Sequence, residues 1–78
     1  MNSKTETLDV RTLPHGPQRL EKIIGTWNAL QSGDILKIIN DHDPKPLSHH
    51  FATHQPGKYL WEYEQEGPDE WIVNITHR

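Results

Sequence analysis

The stretch Asn40-Asp41-His42-Asp43-Pro44-Lys45-Pro46-Leu47, followed at once by Ser48-His49-His50-Phe51-Ala52-Thr53-His54, gathers two carboxylates and four of the six histidines into fifteen residues. Carboxylate and imidazole are the side chains that bind metals and move protons near neutral pH. His50 and His54 stand four apart, hence on one face of a helix, a spacing that suits a divalent metal such as zinc or iron. With His42 they form a candidate nitrogen ligand set for a metal ion or a heme. The glutamate that completes the zinc-protease helix motif is missing. Leu47, Phe51 and His54 also follow the core-facing stripe of that helix, so a packing role stands beside the ligand role.

His42 lies between Asp41 and Asp43 just past an apolar run, and loops at strand ends are where α/β domains place ligands. Asn40, Asp41, His42 and Asp43 are therefore candidate ligand-binding residues. Asn and Asp ahead of proline also build turns and caps: Asn40 or Asp41 can accept backbone N–H bonds, and Asp43 can cap the following helix. His15 is the remaining candidate. It stands on the loop entering the first helix, where backbone N–H groups and the positive end of the helix dipole favour an anion. If the two loops share one edge of the sheet, His15 and His42 converge there.

The elements that must position these residues follow from periodicity. Residues 1–7 are polar and read as a disordered tail. Residues 8–13 alternate apolar and polar, as a half-buried strand does, and Pro14-His15-Gly16-Pro17 stops them. Gly16 serves as a helix cap and Pro17 as the first helical residue. Leu20, Ile23, Ile24, Trp27 and Leu30 fall three or four apart, which predicts a helix over 18–30 packed on one side. Gly25 inside it weakens the helix and points to a close approach to the sheet. Ser32-Gly33-Asp34 turns the chain into 35–39, a run rich in β-branched residues expected as a central strand covered on more than one side. A short helix is expected from 46 or 47 to 54. Tyr59, Trp61 and Tyr63 alternate with Leu60, Glu62 and Glu64, and after the turn 66–70 a last strand returns with Trp71, Val73 and Ile75 inward. Trp27, Trp61 and Trp71 read as core, His49 and His77 as solvent-facing, and the glutamates of the hairpin as its solvated face.

The order β-α-β-α-β-β predicts an α/β (α+β) two-layer sandwich, a four-stranded mixed sheet with two helices on one face, in a single domain over 8–77. Seventy-eight residues bury only somewhat more than ~60% of their unfolded surface, so a few large side chains must supply the core. A mean hydropathy of −0.86 is polar, but the periodic segments argue against disorder. The net charge of −3 carries no basic stripe, so nucleic acid is not expected as a partner. No cysteine is present, which excludes thiolate ligands and persulfide chemistry. No segment has the length of a membrane span, and a cytoplasmic soluble protein is the expectation.

Asn40-Asp41-His42-Asp43-Pro44-Lys45-Pro46-Leu47, Gln55-Pro56-Gly57, Trp61-Glu62-Tyr63 and Gly67-Pro68 with Trp71 resemble domain of unknown function family 2249 over nearly all of residues 8–75. That bacterial and archaeal family is in turn similar to the TusA-like sulfur-carrier fold. The resemblance places His15 where the sulfur carriers have the cysteine of a Cys-Pro pair, so their sulfur relay does not carry over. It also implies a setting beside hemerythrin-like iron proteins, iron–sulfur assembly and nitric-oxide metabolism, and hence an iron or redox protein as partner.

Three functional expectations follow. The preferred one is a non-catalytic accessory domain that binds a partner protein or small ligand at the edge formed by His15 and the 41–46 loop. A histidine-based metal- or heme-binding protein, with zinc or iron as the metal, is the alternative. The third is a small enzyme using His15 or His42 as general base.

Overall fold

The first strand, β1 (Thr5–Asp9), begins inside the segment expected to be a disordered tail. Thr5, Glu6 and Thr7 are exposed, so no apolar alternation marks them. They are strand because their backbone pairs in parallel with β2 (Ile35–Asn40), from Thr5 opposite Ile35 to Asp9 opposite Ile39. The strand does not run to residue 13. At Asp9 the carboxylate accepts the Arg11 backbone N–H at 3.0 Å and starts a 3-10 turn, Val10–Thr12, that buries Val10 completely. The Arg11 guanidinium, bonded to the same carboxylate, holds the Asp9 carboxyl below its ordinary pKa. Arg11 also reaches Glu70 at 2.8 Å, tying this turn to the start of the last strand. Because these groups are exposed, the ties contribute little to stability. The computed structural model describes residues 3–14 and 16–78.

Helix α1 (Pro17–Asn28) opens on Gly16, whose φ of 111° places it where only glycine is unstrained, and on Pro17 at the first helical position. It ends two residues before the expected limit. Leu30 nonetheless reaches the core from just beyond the helix, its N–H bonded to the Trp27 carbonyl. The buried line of α1 is Arg19, Ile23 and Trp27, while Leu20 and Ile24 flank it half-buried. Gly25 does not face the sheet: a Cβ at this position meets nothing within 4 Å. Gly25→Ala should therefore stabilise the domain by about 1 kcal/mol. A thermal melt should show a midpoint roughly 4–8 °C higher.

In β2 burial alternates, with Leu36, Ile38 and Asn40 covered and Ile35, Lys37 and Ile39 half-exposed. The strand is thus covered by helices on one face only, and its outward isoleucines are shaded by the neighbouring strands. On the open face Lys37 pairs with Glu64 at 3.3 Å, and Glu64 accepts the Asn74 amide at 3.0 Å. The Asn74 bond first, and Lys37 second, lower the Glu64 pKa.

Helix α2 spans Lys45–His54. After it, β3 (Tyr59–Glu66) and β4 (Trp71–His77) form a hairpin, and the sheet order is β1-β2-β4-β3. The ladder slips by one residue between Tyr63 and Gln65, a bulge in the edge strand. Gly67, at φ 70°, turns the hairpin, and Trp71 packs so close that a Cβ there would lie 2.9 Å from its indole. The result is the expected two-layer sandwich, a mixed sheet with two helices on one face.

Trp27 and Phe51 meet edge to face at 5.0 Å over Leu36, Ile38, Val73 and Ile75, which joins both helices to the sheet. Trp61 and Trp71 are half-buried rather than core, because they lie on the edge strand and at the hairpin base. His77 is not solvent-facing: its ring stacks on Trp27 at 4.3 Å, and its backbone is bonded to Asp34 and Gly33. Asp34 organises this end of the molecule. Its buried carboxylate accepts the N–H groups of Gln31 and Lys4, and these bonds hold its pKa below the ordinary value.

Candidate functional site

The end of β2 delivers the polar segment to one edge of the sheet. Asn40 is buried, and its side-chain oxygen accepts the Asp41 N–H at 2.8 Å, which starts the turn. Asp41 Oδ1 lies 2.7 Å from His42 Nδ1, with both side chains about half exposed. Asp43 does not cap α2, whose N-terminus carries no side-chain cap bond. Its carboxylate instead accepts the Tyr63 hydroxyl at 2.7 Å, while its carbonyl accepts the Lys45 N–H. Burial, and then the Asp43 bond, raises the Tyr63 pKa. The two aspartates therefore have separate tasks: Asp41 orients His42, and Asp43 fastens the loop to β3.

Between this loop and α1 lies a cavity of about 380 Å³. Arg19, Leu20 and Ile23 wall it from α1, Asn40 and His42 from the end of β2, and Leu47 and His50 from α2. Gly16 and Pro44, the residues that cap the two helices, both border it. The volume falls within the range of small-molecule sites. Among the described residues no carboxylate lines the cavity, and neither helix has an acidic residue in its first turn.

Arg19 gives the cavity its charge. It is only 8% exposed. One guanidinium nitrogen, Nη2, donates to the Leu13 carbonyl at 2.6 Å, while Nε and Nη1 are shielded from water with no acceptor among the described residues. No carboxylate pairs with it among the described residues. A buried cation without a counter-charge is costly, and a native structure that keeps one calls for an explanation at that place.

Of the expected site residues, Asn40, His42 and His50 reach the cavity wall. His15 lies outside the described residues. His50 and His54 are brought together, with ring centroids 4.3 Å apart, but His54 is exposed and does not continue the buried line of Leu47 and Phe51. Among the described residues no three or more His, Cys, Asp or Glu side chains form a group that could hold a metal ion, so His42, His50 and His54 do not assemble as a ligand set. Burial first, and the neighbouring His54 second, lower the His50 pKa. Its ring should titrate below the ordinary 6.5 in a histidine NMR titration, and His54→Ala should move it partway back up. Since the folded value lies below the unfolded one, this group lowers stability as pH falls through the interval between them.

Arg19 is the cavity residue that the pattern of histidines and carboxylates did not single out. A signal for it exists in the chain: residues 19, 23 and 27 follow one another at intervals of four, which puts a cation on the buried stripe of α1.

Among the described residues no helix is long and apolar enough to cross a membrane. No curated protein and no solved structure matches the chain. A family model matches residues 7–77, a span that takes in all of the helices and strands except the first two residues of β1. The chain belongs to the family described as Uncharacterized conserved protein (DUF2249).

Proposed function

We propose that this domain is a non-catalytic accessory module that binds a small organic ligand in the cleft between α1 and the Asp41–His42–Asp43 loop. The observation that carries this reading is the cavity itself, bordered by both helix N-termini and by residues of the loop. Its walls combine apolar side chains with a few polar groups, as ligand sites do. The Asp41–His42 pair, which has the composition of an acid–base couple, lies half open to water rather than enclosed. That openness favours binding over general-base chemistry, which gains from excluding water. The setting implied by the family resemblance would place such a ligand in iron or redox metabolism.

Thermal melts against a panel of small neutral, cationic and anionic organic molecules test this reading. At a tenfold excess over its dissociation constant, a cleft ligand should raise the midpoint by roughly 5–10 °C. Leu20→Trp, which narrows the cleft from a half-buried wall position, should abolish that gain. A panel without any stabilising member, or a gain that survives Leu20→Trp, would overturn the proposal.

A further inference from the structure

We infer that the ligand of this cleft is a small organic carboxylate, a single negative charge on a short apolar body. The inference rests on the cleft being a ligand site and adds the chemistry of what it holds. The first support is Arg19, a permanent cation nine-tenths buried with two of its three nitrogens lacking an acceptor among the described residues. Arg19 is part of the cavity wall, but Nε and Nη1 are shielded from the open space, so a bound molecule reaches those N–H groups only when the side chain turns toward it. A carboxylate oxygen supplies the missing acceptor and the missing counter-charge together.

The helix ends give independent support. Two helices, of 12 and 10 residues, direct their N-termini to the borders of the same cavity, and neither brings an acidic residue or a side-chain cap to that end. Both positive dipole ends therefore add to the field of Arg19 with no acidic residue in either first turn, the carboxylates of Asp41 and Asp43 lying on the adjoining loop. Size and charge then narrow the class. One fixed cation matches one negative charge better than the two of a phosphate. Leu20, Ile23 and Leu47 offer an apolar surface that inorganic phosphate would leave unused. Asn40 and His42 add polar groups to the wall that suit a polar substituent.

Titrations of the full chain with hexanoate, hexanamide, hexylamine and inorganic phosphate test the inference, read at the Arg19 Nε–H resonance and at backbone amides. Hexanoate should shift the Arg19 Nε–H signal saturably and bind about 10- to 100-fold tighter than hexanamide, with hexylamine weaker still. Arg19→Met should lose the hexanoate preference, and Arg19→Lys should keep part of it. If hexanamide or hexylamine fills the cleft as tightly as hexanoate, or if Arg19→Met binds hexanoate normally, the carboxylate inference fails while the cleft remains a ligand site. Tighter binding of phosphate than of hexanoate also overturns it. If none of the four probes shifts amides around the cleft, the carboxylate inference fails, and the thermal panel then decides separately whether the cleft binds ligands at all.

Discussion

Replacing Trp27 by alanine is expected to cost about 3–5 kcal/mol of stability. Trp27 is 1% exposed and is the largest side chain of the buried set. Its indole meets Phe51 of α2 edge to face and stacks on His77 of β4, so one ring connects both helices and the C-terminal strand. Alanine would lose the transfer free energy of the indole and leave a cavity in a core that few other residues border. A domain of this size has on the order of 4–12 kcal/mol in total, at roughly 0.05–0.15 kcal/mol per residue. The variant should therefore be at the margin of folding. Urea unfolding followed by far-ultraviolet circular dichroism measures the loss. A loss under about 1 kcal/mol would show that the two helices are held to the sheet by other contacts.

Arg19→Met is expected to act in the opposite direction. A buried charge that lacks a partner costs free energy, and apolar side chains of similar length in place of buried ionic groups often stabilise a protein by about 1–4 kcal/mol. Methionine preserves the unbranched stem and fills irregular space. The gain is reduced by the Leu13 carbonyl, which loses the Nη2 donor. A net increase of about 1–3 kcal/mol is the expected balance. Such a gain, together with lost binding, is the signature of a residue kept for function against stability. If Arg19→Met instead lowers the urea midpoint, the guanidinium is a structural group whose bond to Leu13 outweighs its missing partners.

The architecture was legible because its main elements carry strong periodic signals. Ile23, Trp27 and Leu30 mark α1, Ile35 to Ile39 mark β2, and the alternation around Trp61 and Val73 marks the hairpin. The start of β1 was not legible: Thr5, Glu6 and Thr7 join the sheet by parallel backbone pairing alone, which leaves no side-chain pattern. The stacking of His77 on Trp27 was equally hidden, since it depends on where β4 ends relative to α1. At the sheet edge that the sequence singled out, Asn40, His42 and His50 line the cavity, but the roles of individual side chains there were less legible. Asp43 looked like a helix cap because it precedes two prolines, yet it pairs with Tyr63, twenty residues away in another layer of the chain. His50 and His54 drew attention to metal because they stand four apart on a helix, yet among the described residues they form no ligand group with His42. Arg19 drew no attention in the sequence, since a helix cation is ordinarily long enough to snorkel to water. The sign of its burial is the interval of four that it shares with Ile23 and Trp27, which a search for histidines and carboxylates passes over.

The most direct test of the central claim is a map of backbone amide shifts during a hexanoate titration of the full chain. Saturable shifts are expected at Arg19, Leu20, Asn40, His42 and Leu47, with the open sheet face of Lys37, Glu64 and Asn74 unmoved. Shifts that do not saturate, or that centre on that open face, would contradict it.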